Sequence, residues 1–510
     1  MSKKVYLVGA GPGDPGLITV KGKECIEKAD VIIYDYLASP TLLRYANSKA
    51  EMIYVGKKGG EHTLSQEGIN DLIVQKAKTG ATVTRLKGGD PFIFGRGGEE
   101  AEVLIKAGIG FEIVPGITSA IAAPAYAGIP LTHRKFTSTV AFITGHEDPS
   151  KDNSSINWAS LAHGIGTLVF LMGVKNLPNI VKELVNNGKS PETPAALVRW
   201  GTTSRQKTVS GTLSDIVERV RENKMKAPAI IVVGDVVRLR EQMKWFESRP
   251  LLGKKIVVTR AREQASDLVE NLLEMGADVL ECPTIKVVPA QDLSLLDLAI
   301  SRLKSYEWIV FTSVNGVKHF FERLYATGLD ARALGHLCTA AIGPATSDML
   351  FKFGLKTDII PESYRAESVV EAFSKQNIAG KNILLPRAGE ARPILPVELK
   401  KMGANIDEII TYRTVQDRQN VDILLENLQN SHIDMVTFTS SSTVKNFKAL
   451  IADDMISPLM NGVTVACIGP ITADTAKELG FNVHVVADKY TIPGLCEAIV
   501  RHYKQKISMA

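Results

Sequence analysis

The strongest constraint on the fold of this chain is an internal repeat in its second half. Four pairs of segments keep an offset of 127 residues, and a fifth pair is one residue out of step. The pairs are Gly253–Ala261 with Gly380–Ala388, Met275–Ala277 with Met402–Ala404, Phe311–Ser313 with Phe438–Ser440, Val317–Lys318 with Val444–Lys445, and Ile342–Pro344 with Ile468–Pro470. A spacing held this closely is typical of a duplicated structural unit. Because each copy alternates short apolar strands with amphipathic helices, we predict parallel sheets and a cleft between the two halves.

The rest of the chain divides around one polar stretch. The 510 residues are enough for three or four domains. Ala229–Gly234 is an apolar run closed by glycine and predicts a buried strand. The polar residues that follow predict a linker over 241–252, between a first part at 1–240 and a second part at 253–510. Strands predicted at Val5–Gly9, Val31–Asp35, Thr82–Leu86, Val140–Thr144, Thr167–Met172 and Ala195–Arg199 indicate α/β sub-domains at about 1–130 and 131–240.

Charge and cysteine content exclude several classes of protein. Residues 1–250 hold 32 Lys and Arg against 25 Asp and Glu, or +7, and the remaining 28 against 30 give −2. Neither half has the dense basic stripe of a nucleic-acid binder, so small acidic substrates explain the balance as well. The five cysteines form no Cys-x-x-Cys pair, and no metal site is predicted. With no signal peptide or membrane span in the sequence, we expect a cytoplasmic protein.

The first predicted strand runs into a loop with glycines at 9, 11 and 13. Glycine allows close approach of a backbone to a ligand, and a dinucleotide-binding loop is one interpretation, with Asp35 on the next strand as the ribose ligand. That fingerprint needs a third glycine where Asp14 stands, and Pro12 and Pro15 disturb the helix start. A dinucleotide-dependent oxidoreductase is therefore the less favoured alternative.

Two further clusters, Thr84–Glu100 and Val114–Ala120, combine glycine with charged or small residues after predicted strands. Together with the opening loop, Tyr34–Leu37 and Val55–Lys58, they resemble the tetrapyrrole methylase family over about residues 3–240. The resemblance is strongest to its uroporphyrinogen-III C-methyltransferases. It implies a two-domain α/β fold, S-adenosylmethionine as methyl donor with S-adenosylhomocysteine as product, and a homodimer formed through this part.

The same resemblance implies roles for individual residues. Asp35 matches the proton acceptor and Lys57 the proton donor, although Asp35 could instead cap the following helix and Lys57 could bind a substrate carboxylate or remain in solvent. Arg85, Lys87 and Arg134 are either partners of substrate carboxylates or surface charges. The residues matched to adenosylmethionine contacts are Pro12, Gly88, Gly89, Asp90, Ile93, Thr118, Ser119, Met172 and Gly201.

The second part resembles the uroporphyrinogen-III synthase family. The motifs that carry the resemblance are Val258–Ala261, Val310–Gly316, Ala341–Pro344, Thr411–Thr414, Phe438–Ser441 and Cys467–Pro470. The family implies two flavodoxin-like α/β domains joined by a two-stranded connection, with the chain starting in one, building the second and returning.

The implied synthase chemistry assigns candidate residues in this part. Tyr412 matches the family's tyrosine that assists departure of the hydroxyl, although a core tyrosine is the alternative. Hydroxyls after strands, and an arginine at the same position of each repeat, are candidates to bind acetate and propionate groups. These substrate-binding candidates are Thr312, Ser313, Thr439, Ser440, Ser441, Arg260 and Arg387.

Taken together, the resemblances imply a bifunctional enzyme of porphyrin, sirohaem or cobalamin biosynthesis. One part would cyclise hydroxymethylbilane to uroporphyrinogen III, inverting the last ring, and the other would methylate the product twice to precorrin-2. The expected ligands are small tetrapyrroles and S-adenosylmethionine, with no metal, nucleic acid or membrane. The alternatives are a methyltransferase with a non-catalytic tetrapyrrole-binding second half, and a later corrin-ring methylase.

Overall fold

The computed structural model describes residues 4–56, 64–145, 156–260, 262–418, 420–451 and 453–509. The chain divides into two compact units, Met1–Lys254 with Leu272–Asp278, and Lys255–Asn271 with Val279–Ala510. None of the helices in these ranges has the length and apolar character that a membrane crossing requires.

The first unit begins with a parallel sheet in the order β3-β2-β4-β1-β5. Its strands are β1 (Val5–Gly9), β2 (Val31–Tyr34), β3 (Glu51–Tyr54), β4 (Val83–Lys87) and β5 (Phe111–Val114). The helices are α1 (Val20–Lys28), α2 (Gln66–Lys78), α3 (Gly97–Lys106) and α4 (Ser119–Tyr126). Successive strand residues belong to different clusters, Leu7 to one and Val8 to another. This period of two is typical of a parallel sheet covered on both faces.

The second sheet of this unit is mixed, in the order β6-β7-β10-β8-β9. Its strands are β6 (Val140–Thr144), β7 (Thr167–Leu171), β8 (Pro194–Arg199), β9 (Lys207–Thr212) and β10 (Ala229–Val233). The helices are α5 (Trp158–Gly164), α6 (Leu177–Asn186), α7 (Ile216–Glu222) and α8 (Arg240–Met243). Only β6 and β7 pair in parallel, because β8 returns directly into β9 through residues 200–206 without a helix between them.

The second unit holds two sheets of five strands each. The strands are β11 (Lys255–Val258), β12 (Asp278–Glu281), β13 (Ile285–Pro289), β14 (Trp308–Phe311), β15 (Cys338–Ala341), β16 (Asn382–Ala388), β17 (Asn405–Gln416), β18 (Met435–Phe438), β19 (Thr464–Cys467) and β20 (Val485–Val486). The helices are α9 (Arg262–Glu274), α10 (Ser294–Ser301), α11 (Val314–Ala326), α12 (Pro344–Lys352), α13 (Ala366–Ser374), α14 (Ile394–Lys401), α15 (Val421–Gln429), α16 (Ser441–Lys448), α17 (Asp453–Leu459), α18 (Pro470–Glu478) and α19 (Ile492–Met509).

We call residues 285–416 the inserted lobe and the remainder of this unit the terminal lobe. The terminal lobe has the order β12-β11-β18-β19-β20, which in chain order within the lobe is the 2-1-3-4-5 of flavodoxin-like folds. The inserted lobe has the order β13-β17-β16-β14-β15, with β13 antiparallel to β17. The chain starts in one lobe, builds the other and returns, so the predicted pair of α/β domains is confirmed.

The two lobes do not correspond to the two sequence repeats. The first repeat supplies β11 and β12 to the terminal lobe but β14 and β15 to the inserted lobe, and the second repeat supplies the complement. For example, Ile256 of β11 pairs with Met435 of β18, a strand of the other repeat. Each sheet is therefore completed by an exchange of strands between the repeats, and a cleft between lobes is not a cleft between repeats.

Candidate functional site

A cavity of about 570 Å³ lies within the first unit. It is lined by loops that follow β1, β4, β7 and β8, by the start of α4 and by residues 227–230. Since ligands of α/β sheets bind beyond the carboxyl ends of strands, both the position and the size are those of a small-molecule site. All nine residues matched to adenosylmethionine contacts line it: Pro12, Gly88, Gly89, Asp90, Ile93, Thr118, Ser119, Met172 and Gly201.

The loops of the first sheet contact each other through backbone atoms. Gly11 and Gly89 exchange hydrogen bonds, N to O at 3.2 and 2.7 Å. A Cβ on Gly9 would stand 2.5 Å from Cα of Gly116 and 2.6 Å from the oxygen of Gly89, so any side chain there would separate the loops. Close packing of backbone therefore requires glycine at 9 and 116, while a positive φ favours it at Gly11 and Gly89. This part of the cavity wall presents main-chain groups to a ligand.

Asp90 binds the protein rather than facing the cavity as a free carboxylate. Its Oδ1 accepts from the amides of Phe92 and Ile93 at 2.7 and 3.1 Å, and its Oδ2 accepts from the amide of Gly116 at 2.9 Å. Thr118 likewise caps α4, its Oγ1 accepting from the Ala120 amide. Both side chains therefore fix the shape of the wall.

Met172 and Gly201 complete the wall from the second sheet. Met172 has a φ of 58° and leaves 54% of its surface exposed, a left-handed conformation that costs energy in a non-glycine residue. Gly201 packs against Ala123 of α4 too closely for a Cβ. The cavity also has cationic side chains, Lys175 and Arg205, and the Arg205 guanidinium lies 4.2 Å from the ring centroid of Trp200.

Asp35 directly follows β2 and precedes Tyr36 and Leu37 of the cavity wall. Its Oδ1 accepts from the Leu37 amide and its Oδ2 from a guanidinium nitrogen of Arg85, each at 3.1 Å. The next helical turn begins at Pro40, so Asp35 caps a turn and not an α-helix. Lys57, its expected partner in proton transfer, lies outside the described residues.

Arg85 and Lys87 are neither surface charges nor free to bind substrate. Both converge on Oε1 of Glu100, Arg85 from 3.2 Å and Lys87 from 2.6 Å. The three side chains are 0–5% exposed. Burial lowers the pKa of Lys87 and repulsion from Arg85 adds to this, while Glu100 opposes both. Together with Asp35, these side chains carry two positive and two negative charges, a net charge of zero. The pair between Arg85 and Asp35 anchors Asp35 to the core of the sheet.

In the inserted lobe, the structure brings Tyr412 and Ser313 together, their hydroxyl oxygens 2.9 Å apart. Ser313 also caps α11 by accepting from the Gly316 amide at 2.9 Å. The ring of His319 stacks on Tyr412 with centroids 5.7 Å apart. Burial raises the pKa of Tyr412, against the opposing effect of the Ser313 hydrogen bond, so the hydroxyl keeps its proton at neutral pH.

The remaining candidates of the second unit fall into two equivalent groups. Val258 of β11 pairs with Thr437 of β18, so Arg260 and Thr439, each two residues further along the chain, lie just beyond the ends of neighbouring strands. Arg387 and Thr312 stand in the same relation on β16 and β14, three residues beyond the paired Leu384 and Ile309. The exchange of strands thus combines the arginine of each repeat with the hydroxyls of the other.

The two arginines differ in their surroundings. Arg387 is 3% exposed, with one nitrogen 3.0 Å from Oε1 of Glu408 and another donating to the Arg392 carbonyl at 2.6 Å. Burial lowers the pKa of both Arg387 and Arg260. Arg387 is therefore largely committed to the protein. The hydroxyl candidates Ser440 and Ser441 also have internal partners, Ser442 and Thr475, at 2.9 and 2.8 Å.

Sequence reasoning missed several cavity residues, among them Tyr36, Leu37, Lys175, Trp200 and Arg205. Tyr36, Leu37 and Trp200 stand in motifs that the sequence displayed, and only their direction was unknown. Among the described residues no group of three or more His, Cys, Asp or Glu side chains is placed to hold a metal ion.

The two units correspond to two known classes of domain. A family model described as tetrapyrrole (corrin/porphyrin) methylases matches residues 4–217, and one described as uroporphyrinogen-III synthase HemD matches residues 266–497. The chain is therefore a fusion of a tetrapyrrole methylase domain with a uroporphyrinogen-III synthase domain, a combination that belongs to tetrapyrrole biosynthesis.

Individual relatives agree with this division. The "Porphyrin biosynthesis protein HemD" of Ruminiclostridium josui is 39% identical over 496 residues, covering 97% of both chains, so this chain belongs to that family of fused proteins. The uroporphyrinogen-III C-methyltransferase of Priestia megaterium is 58% identical over 234 residues, 46% of this chain and 98% of the relative. The S-adenosyl-L-methionine-dependent uroporphyrinogen III methyltransferase of Methanosarcina barkeri is 57% identical over 238 residues, 47% of this chain and 93% of the relative.

Proposed function

We propose that this chain makes uroporphyrinogen III from hydroxymethylbilane in its second part, residues 253–510, and methylates it twice to precorrin-2 in its first, residues 1–240. The observation that carries the methylation is the cavity, where nine residues from separate segments, chosen by motif alone, line one space. S-adenosylmethionine supplies an electrophilic methyl group when it is bound in this cavity. The relatives from Priestia megaterium and Methanosarcina barkeri, which match the first part, are named as uroporphyrinogen-III methyltransferases.

The residues present fit such a donor. The wall combines glycine backbone with apolar side chains, those of Ile93, Leu171, Met172 and Val198. An apolar surface favours release of the positive charge of a sulfonium, and a rigid wall holds the methyl in line with the attacking carbon. Lys175 and Arg205 provide cations for a substrate that carries carboxylates.

Asp35 is the proposed proton acceptor. Attack of a pyrrole carbon on the methyl group leaves positive charge on the ring, which is relieved when the ring loses a proton to a nearby base. Two hydrogen bonds fix the Asp35 carboxylate beside the cavity wall, and 27% of its side chain is exposed to receive that proton. Lys57 is the proposed donor on the grounds of its motif alone.

In the second part, Tyr412 is the proposed acid that assists departure of the hydroxyl from hydroxymethylbilane. Its proton is retained by burial, and Ser313 orients the hydroxyl. The remaining task is to hold the chain ends together without water, because uncatalysed closure gives the uninverted isomer. Arg260 and the hydroxyls of Thr312, Thr439, Ser440 and Ser441 are the proposed contacts for the substrate carboxylates.

The test is isomer analysis after feeding hydroxymethylbilane anaerobically, with and without S-adenosylmethionine. We expect type III uroporphyrinogen without the methyl donor and its conversion to precorrin-2 with it. Asp35→Ala should retain ring closure and lose methylation, and Tyr412→Phe should do the reverse when uroporphyrinogen III is supplied. Formation of type I alone would refute the synthase assignment, and equal loss of both activities in Asp35→Ala would refute the role of that residue.

The resemblance also supports a homodimer formed through the first part. Sedimentation velocity of the full chain should give a mass near twice 55.4 kDa. A monomer at micromolar concentration would contradict it.

A further inference from the structure

Residues 240–249, which we call the 240–249 segment, pack onto the first unit, although their polar composition predicted a linker. Phe246 is 4% exposed and Arg240 is 7% exposed. The Trp245 indole donates to the Ala125 carbonyl at 3.1 Å, and the Met243 carbonyl lies directly against Gly128, leaving no space for a Cβ there. The segment therefore docks at the end of α4, the helix whose first residues line the cavity.

Glu247 is the centre of the polar contacts in this segment. One carboxylate oxygen accepts from the side chains of Gln206 and Thr208, at 2.8 and 2.5 Å, and the other pairs with Arg240. Arg240 in turn donates to the carbonyl of Ala127 at 2.6 Å. Because the Glu247 side chain is only 16% exposed, water would not readily take its place as acceptor for the groups that donate to it.

The contacts continue from Glu247 to the cavity wall. With its amide nitrogen held by Glu247, Gln206 presents Oε1 to the backbone amide of Thr202, which donates at 2.8 Å. Thr202 has a φ of 71°, a conformation that a β-branched residue adopts only when its surroundings impose it. Its neighbour Gly201 lines the cavity, so the hydrogen bond to Gln206 holds a strained turn in the wall.

The same turn also supports the opposite wall. Thr202 Oγ1 accepts from the backbone amide of Asp14 at 3.1 Å, and a Cβ on Gly13 would be 2.6 Å from the Thr203 methyl group. The glycine loop after β1 and the turn after β8 therefore pack against each other. A change in the turn would move both.

We propose that Glu247 is a positioning residue for the cavity of the first unit: it fixes Gln206, and Gln206 fixes the strained turn at Thr202 that shapes the seat of the methyl donor. The identity of the ligand rests on the proposed function. The consequence is that a residue outside the motifs of the methylase resemblance, in the segment leading to the second unit, controls affinity for S-adenosylmethionine and its product.

The test is calorimetric titration of the full chain with S-adenosylhomocysteine at 25 °C. Glu247→Ala should raise the Kd at least tenfold, because Gln206 loses its acceptor. Glu247→Gln should stay within about threefold of wild type, since its amide oxygen can still accept from Gln206. Glu241→Ala is the matched control, an exposed glutamate of the same segment paired only with Lys244 among the described residues, and should bind as wild type does.

A second variant separates positioning from simple loss of stability. Asn tolerates the left-handed conformation and keeps a side-chain acceptor, so Thr202→Asn added to Glu247→Ala should recover part of the lost affinity. Binding by Glu247→Ala within twofold of wild type would overturn the inference, as would equal losses in Glu247→Gln and Glu247→Ala, or no recovery with Thr202→Asn. If wild type itself fails to bind S-adenosylhomocysteine, the proposed function fails and the inference falls with it.

Discussion

Replacing Glu100 with Gln should destabilise the first unit far more than an ordinary change of a glutamate. The side chain is 0% exposed and one of its oxygens contacts both Arg85 and Lys87, at 3.2 and 2.6 Å. Glutamine keeps the volume and removes the charge, so two buried cations remain with one carboxylate, that of Asp35, which pairs with Arg85 at 3.1 Å. Breaking a buried ion pair on one side costs about 3–5 kcal/mol.

The size of the effect can be read as a thermal shift. For a domain of this size each kcal/mol lowers Tm by about 2–4 °C, so the expected fall is about 6–20 °C. Because Trp158, Trp200 and Trp245 lie in the first unit and Trp308 in the second, intrinsic fluorescence during heating reports mainly on the first. Calorimetry of the same sample should show the transition of the second unit unmoved.

The matched control is Glu99→Gln, on the same helix one residue earlier. Glu99 is 51% exposed and pairs with Arg96 at 2.6 Å, and exposed pairs contribute at most about 1 kcal/mol. Adding Lys87→Met to Glu100→Gln should restore part of the stability, because one uncompensated cation is removed. Equal Tm values for Glu99→Gln and Glu100→Gln, or strictly additive losses in the double variant, would refute the account of a coupled buried network.

Three further predictions concern other parts of the chain. Tyr412→Phe should slow ring closure about 100-fold or more, because the proposed general acid is removed. The loss of one hydrogen bond to Ser313 should lower the free energy of unfolding by only about 0.5–1.5 kcal/mol. The rate of type III uroporphyrinogen formation measures the first effect and a urea titration the second. Gly116→Ala should weaken binding of S-adenosylhomocysteine at least tenfold, because the new methyl group meets the backbone of Gly9 at 2.6 Å, whereas Gly98→Ala, with nothing within 4 Å, should bind normally. Hydrogen bonds from Lys21 and Lys4 lower the pKa of Glu112 to about 2, below its ordinary value near 4.5. The difference in unfolding free energy between wild type and Glu112→Gln should therefore be full above pH 5 and disappear as the pH falls towards 2. A difference that stays constant across this range would contradict the prediction.

Much of the first unit could be predicted from the sequence because close backbone packing restricts which residues fit. Gly88 and Gly201 line the cavity where a Cβ would meet Leu37 and Ala123 at 2.4 Å, and Gly89 lines it with a φ of 70°, a conformation that favours glycine. Strands also fell within a residue or two of their predicted limits. Pattern reasoning works where a local requirement determines the residue type.

The pairing of the repeats could not be predicted, for a physical reason. Strands β14 and β18 are equivalent members of the two copies, both short, apolar and buried. By length, hydrophobicity and burial, either β14 or β18 could pair with β11. The connections that leave β12 and β17, which include residues 282–284 and 417–418, distinguish them, and loop geometry leaves no periodic signal in the sequence.

Buried charges were the other feature that sequence composition concealed. The composition of the 240–249 segment predicted an exposed linker, and Arg85 and Lys87 were expected to bind substrate carboxylates or to be surface charges, because charged side chains are almost always exposed. In each case an acidic partner that the fold brings into contact offsets part of the cost of burial, Glu247 for Arg240 and Glu100 for Arg85 and Lys87. Composition describes residues singly and does not register such pairs.

The exchange of strands between repeats has a consequence for synthesis of the chain on the ribosome. Thr259 and its partner Thr437, at the ends of adjacent strands, are 178 residues apart in sequence. At about 5–20 residues per second, roughly 9–36 s separate the emergence of the two. During that interval β11 and β12 lack their central neighbour, whereas the intervening residues 285–416 contain every strand of the inserted lobe and can fold first. The nascent terminal lobe therefore has an unpaired strand edge during this interval, and such an edge can pair with another chain and aggregate.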